Sequence, residues 1–92
     1  MNRLKLRLYV AGDTQNSLLA RANLSALCRD FPAFPRQIEV IDVLKEPMRA
    51  LTDDVLMTPT LVVLGNPVRR IVGTLSSTPV VLNALGLGDV CR

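Results

Sequence analysis

The strongest nucleophiles in this sequence are two cysteines, and their placement removes the commonest sulfur chemistry. Cys28 and Cys91 form no CxxC pair and no metal-ligand spacing. Cys28 reads as a small buried hydrophobe on a helix, and Cys91 as a tail thiol. Histidine is absent, which takes away the commonest general base and the imidazole metal ligand. A reactive thiol would be best placed where a helix starts just after the first apolar strand, because the helix dipole stabilises a thiolate there. That segment is Gly12-Asp13-Thr14-Gln15-Asn16-Ser17 and holds no cysteine. Ser17 could offer a hydroxyl to a thiol-bearing substrate, but its ordinary reading is a cap or a solvated serine. Gly12 stands alone and reads as a structural turn glycine, not as a phosphate-binding loop. Asp53-Asp54 could act as an acid pair, but its ordinary reading is a solvated helix end. No catalytic residue, metal or cofactor is assigned.

The cations form a second constellation. Arg3, Lys5 and Arg7 occupy alternate positions and fall on one face of a strand. Two readings stand: a solvated face, or a docking strip for an acidic partner. Arg69-Arg70 can extend the strip by one residue only, because adjacent strand residues point opposite ways. Tyr9 continues the same face, as an interface anchor or as a side chain packed beneath a short helix. The net charge of +3, with 3% aromatic residues, does not support nucleic-acid binding. No apolar run has the length of a membrane span, and the N-terminus lacks a signal peptide's apolar block. A cytoplasmic location is expected.

These groups are positioned by a short series of elements. The chain has 92 residues, 49% of them hydrophobic, and reads as one domain over 1–92 with a core of Leu, Val and Ile. Leu4, Leu6, Leu8 and Val10 alternate with polar residues as a half-buried strand. Thr14 or Asn16 can cap a helix whose stripe is Ala20, Leu24, Leu27, Cys28 and Phe31. Pro32 stops that helix. Ile38, Val40, Ile41 and Val43 read as a second strand. Pro47 opens a short helix ending near Asp54. Thr58-Pro59-Thr60 leads into an apolar strand, Leu61–Leu64. Structural Pro59 belongs at its mouth, having no N–H and tolerating a cis bond. Gly65-Asn66-Pro67 reverses the chain into Val68–Val72, which structural Gly73 ends. Ser76 or Ser77 caps a last helix facing Val81, Leu82 and Leu85 inward. The order β-α-β-α-β-β-α predicts an α/β protein with a four-stranded mixed sheet, the thioredoxin-like plan.

Four segments together resemble the KaiB family of clock proteins. They are Leu8–Ser17 (LYVAGDTQNS), Val40–Pro47 (VIDVLKEP), Thr58–Leu61 (TPTL) and Pro67–Ser76 (PVRRIVGTLS). The resemblance runs over roughly residues 4–86. It implies a protein without enzymatic activity that docks on a KaiC-type ATPase and alters its phosphorylation cycle. It also implies two folds. One is thioredoxin-like; the alternative is a ground state, β-α-β-β-α-α-β, associated with dimers or tetramers of the chain. The sensory domain of SasA-type histidine kinases keeps only the first. By position, Lys45 matches a basic family residue near the KaiC-docking surface, and Tyr9, Arg69 and Arg70 match family positions.

The sequence departs from the family at informative places. Gly65-Asn66-Pro67 replaces a longer proline run, and Leu61–Leu64 is unusually β-branched for a segment that must also serve as a helix. Thr74 stands where the family carries an acidic residue, and the acidic tail is absent. These departures favour the thioredoxin-like state. The expected partner-binding residues are Lys5, Arg7, Tyr9, Lys45, Arg69 and Arg70. The other reading is a stand-alone thioredoxin-like sensor or adaptor for a different signalling or stress partner.

Overall fold

A computed structural model describes residues 4–31, 36–65 and 68–85. The alternation in the first strand is realised as β1, Leu4–Val10, followed by α1, Gln15–Asp30. Next come β2, Arg36–Asp42, and α2, Pro47–Thr52. The chain continues with β3, Thr60–Leu64, β4, Arg69–Val72, and α3, Thr78–Ala84. The observed order is the predicted β-α-β-α-β-β-α. Residues 60–64 are a strand, so the arrangement is not the alternative β-α-β-β-α-α-β.

The four strands form one mixed sheet in the order β2-β1-β3-β4. β1 pairs parallel with β2 and antiparallel with β3, and β3 pairs antiparallel with β4. The period of two in β1 sends its side chains to opposite faces. Leu6, Leu8 and Val10 join Leu61 and Val63 under α1 and α3, meeting Ala20, Leu24, Leu27, Val81, Leu82 and Leu85. On the other face Tyr9, Ile41 and Val62 pack beneath α2 with Ala50 and Val55. Leu6, Leu8, Leu61 and Leu82 are almost wholly buried, and each such side chain contributes roughly 2 kcal/mol relative to exposure.

The punctuation explains the element ends. Thr14 is the N-cap position of α1, but its hydroxyl does not cap the helix; it donates to Ser17 Oγ at 2.8 Å. Pro79 lies within the first turn of α3, after the N-cap Ser77. The Thr58–Pro59 bond is cis, and Pro59 O accepts from the Gly73 N–H at 2.9 Å. That bond ties the entry of β3 to the exit of β4. The Asn23 amide adds a second tie, donating to Thr74 O at 2.7 Å. The expected contributions of Arg3, Pro32, Asn66, Pro67 and Cys91 lie outside the described residues.

Candidate functional site

The sequence places two groups of interest on the α2 face of the sheet: odd-numbered residues of β1, and α2 with its flanking turns. Arg7 and Tyr9 project from β1 toward α2. The Tyr9 hydroxyl donates its proton to Asp53 Oδ2 at 2.5 Å, with Arg49 O a second, longer acceptor at 3.1 Å. Arg7 Nη1 donates to the same carboxylate at 2.9 and 3.2 Å. Arg49 completes the arrangement by reaching Glu39 of β2, at 2.6 and 2.7 Å. The network therefore joins β1, β2, α2 and the residue that closes α2.

The electrostatics follow from that geometry. Burial pushes the Tyr9 phenol up, and its hydrogen bond to Asp53 adds to the effect, giving about 12. Burial also opposes ionisation of Asp53, but the hydrogen bonds from Tyr9 and Arg7 outweigh it and hold the carboxyl below its ordinary value. Arg49 holds Glu39 low through its paired hydrogen bonds, and Glu39 in turn raises Arg49. A phenol held protonated against a carboxylate held ionised is a stable pair, not a proton shuttle near neutral pH.

Three sequence readings are corrected here. Tyr9 is fully buried and cannot anchor a partner in this arrangement; it packs beneath the short helix. Asp53 is not a solvated helix end, because its carboxylate is 13% exposed and takes bonds from two β1 residues. Ser17 is neither a cap nor solvated. Its oxygen is buried and accepts from the Ala11 N–H at 3.0 Å as well as from Thr14. The signal for Asp53 was available: an acid just past a short helix, with Arg7 and Tyr9 on the facing strand. The missing piece was that α2 folds back over β1.

The expected partner-binding residues do not form one strip. Lys5 is exposed at the start of β1. Arg7 is taken up by Asp53, with Glu39 at 3.8 Å. Of the two return-strand arginines, Arg70 shares Arg7's face: it lies opposite Val62, which lies opposite Arg7. Its Nε donates to Asp53 O at 2.9 Å. Arg69 points the other way and reaches Asn83 O on α3. Lys45 is exposed in the turn after β2, at the opposite end of the strands from Lys5. Strand rise alone separates these two ends by about 17 Å. Gly12 adopts φ +55 where the chain leaves β1, and its N–H donates to Asp42 Oδ1 at 3.1 Å.

The stretch of chain from 44 to 57, which includes Lys45, carries exposed apolar side chains. Leu44, Met48, Leu51, Leu56 and Met57 are each at least 63% exposed. Met48 and Leu51 stand three residues apart on the outer side of α2, whose Ala50 faces inward. Exposed apolar residues concentrated in one short segment mark an interaction surface more often than a solvated one. The comparable place for thiol chemistry, the start of α1, carries Gln15, Asn16 and the buried Ser17. Cys28 lies on α1, half-buried over the sheet's other face. Among the described residues no cluster of His, Cys, Asp and Glu is suited to a metal ion. No helix among them is long and apolar enough to cross a membrane.

Comparison with known proteins gives concordant results. The KaiB domain family profile matches residues 7–87. Circadian clock protein KaiB3 of Synechocystis sp. is 40% identical over 88 residues, which is 95% of this chain and 86% of that protein. Circadian clock oscillator protein KaiB of Thermosynechococcus vestitus is 47% identical over 83 residues, 89% of this chain and 77% of the relative. Among solved structures, chloroplastic thioredoxin z superposes with a TM-score of 0.75 at 17% identity, covering 96% of this chain and 80% of its own. The N-terminal domain of Synechococcus elongatus SasA superposes with a TM-score of 0.73 at 22% identity, covering 100% and 88%. Both likenesses are of fold: a thioredoxin-like α/β domain.

Proposed function

The chain belongs to the KaiB family of circadian clock proteins, and from that premise we propose that it is a non-enzymatic regulator that docks on a KaiC-type ATPase and alters its phosphorylation cycle. The observation that carries this reading is the exposed apolar side of α2 with its flanking turns, Lys45 being in the turn that precedes the helix. Met48 and Leu51 supply area to desolvate, and Lys45 supplies a cation at its margin. Arg7 and Asp53 act behind this surface, fixing α2 to the sheet. Lys5, Arg69 and Arg70 lie outside it and contribute through long-range attraction to an acidic partner.

The docking state in this reading is the thioredoxin-like one, favoured in this chain over the alternative family fold. β-Branched residues in β3 and burial of that strand on both faces support the bias. A difference of a few kcal/mol between two folds sets which one dominates.

The direct test is binding of the purified chain to a KaiC-type ATPase from the same source, with the ATPase's phosphorylation followed over time. Saturable binding and a changed phosphorylation course are expected. Met48→Asp and Lys45→Glu should each weaken binding at least tenfold without changing Tm. No binding by the native chain, or binding indifferent to both substitutions, would reject the reading.

A further inference from the structure

We propose that the groove between α1 and the sheet binds a free small amphipathic carboxylate, its head between Arg29 and Arg36 and its apolar body over Ile38 and Val40. The groove has a volume of about 580 Å³. Small-molecule sites span roughly 300–1,000 Å³, so the space suits a ligand of that class. It opens on the sheet face away from α2 and is separate from the apolar surface around Met48 and Leu51.

The crossover connection shapes this groove. α1 runs back against the direction of the two parallel strands it joins, so its last turn lies beside the start of β2. The Arg36 guanidinium donates to Cys28 O at 3.4 Å across that junction. α1 covers β1 more fully than β2. Leu8 and Leu24 are at most 4% exposed and form the floor, whereas Ile38 and Val40, at 36% and 44%, form an open apolar wall. An apolar ligand body laid there removes that wall from water.

The charge in the lining has one sign. Arg21, Arg29 and Arg36 line the groove, and no carboxylate is among the described residues that do. Arg21 and Arg29 are eight residues apart on α1, about 12 Å along its axis. Arg21 also borders Asp13, Asp42 and Glu46 at the far end of β2, and those acids oppose an anion there. Arg29 and Arg36 mark the other end. The last carbonyls of α1 carry partial negative charge, and Arg36 meets one of them at Cys28 O. A guanidinium fork has five donors, enough to hold that carbonyl and a ligand carboxylate together. A doubly charged phosphate would need more donors than this largely apolar lining supplies. Cys28 lines the helix side and is half-buried, so its thiol reports occupancy.

The test is titration of the purified chain with decanoate below its micelle concentration, and in parallel with decanol and decylamine. Saturable one-to-one binding of decanoate is expected, at least tenfold tighter than either isostere. Amide shifts on titration should centre on Cys28, Ile38 and Val40. In a Cys91→Ser background, saturating decanoate should slow alkylation of Cys28 severalfold. Arg29→Gln combined with Arg36→Gln should weaken binding at least tenfold. Val40→Glu keeps both arginines but sets an acid in the apolar wall, and should weaken it as much. No saturable binding would overturn the proposal. So would decanol binding as tightly as decanoate, or affinity indifferent to both the double arginine variant and Val40→Glu. Shifts centred on Met48 and Leu51 would put the acid on the α2 surface and reject this site.

Discussion

The Tyr9 hydroxyl donates to Asp53 Oδ2 at 2.5 Å, which ties β1 to the residue that closes α2. Arg7 donates to the same carboxylate, so removing it leaves the buried phenol with only the longer contact to Arg49 O and takes from the part-buried guanidinium its closest acceptor. Asp53→Ala should lower stability by about 2 kcal/mol. Asp54→Asn, at an exposed site whose positive φ asparagine also tolerates and with only a distant ion pair, should change it by less than about 0.5 kcal/mol. Urea denaturation of the two variants side by side decides the point; equal losses would mean that the network does not hold α2.

Stability should fall in alkali. Tyr9 titrates near 10 when unfolded and at about 12 when folded. Its contribution is complete below pH 10 and is lost as pH rises through the folded value. The loss is of the order of 2 kcal/mol. Tyr9→Phe, itself less stable at neutral pH by about 1 kcal/mol, should flatten that part of the profile. Chemical denaturation at pH 8, 10 and 11.5 would show it.

The acid side has the opposite sign. Asp53 and Glu39 titrate lower in the folded chain than unfolded, so their contribution is full above about pH 4, the ordinary carboxylate value, and disappears as pH falls through their folded values. Asp53→Asn should be less stable at neutral pH and show a shallower decline between pH 4 and 2, measured by thermal melts.

Ser17→Ala should cost about 1–2 kcal/mol, although the residue looks expendable in sequence. Its oxygen is the acceptor for the Ala11 N–H, and alanine leaves that donor unmet at the start of α1. Ser17→Thr is a useful contrast: it keeps the oxygen but adds a methyl group to a fully buried site. Loss in the alanine variant no greater than at exposed Ser25 would refute the assigned role.

Gly73→Ala should destabilise through the backbone alone. Its φ is +115, and nothing lies within 4 Å of where a Cβ would stand. Gly12→Ala meets a φ of +55, while Leu44 Cδ1 at 3.4 Å is an ordinary contact. Each substitution should cost about 1 kcal/mol or more, visible as a lowered Tm.

The sequence carried most of the element order because its signals are local. Alternation marks β1, the Ala20–Leu24–Leu27 stripe marks α1, and Pro47 and Pro79 sit in helix first turns. What it could not show depends on contacts far apart in the chain. Asp53 and Arg7 are 46 residues apart, and no local pattern pairs them. Ile38 and Val40 look like core residues by type, yet they are open because β2 is an outer strand and α1 leaves it uncovered. The cation strip was legible in its facing, since Arg7 and Arg70 do share a face, but not in its pairing: Arg7 meets an acid that the sequence assigned to solvent. Lys45, in the turn after β2, is exposed.

β3 contributes Leu61 and Val63 to one core and Val62 to the other, and it is bonded to neighbours on both edges. Pulling it out would empty both faces of the sheet at once and sever β4 from the rest. Its amides should therefore exchange with deuterium only through complete unfolding, while those at the α2 end exchange sooner. Any remodelling of the second half would first have to give up the pairing and burial that this strand supplies.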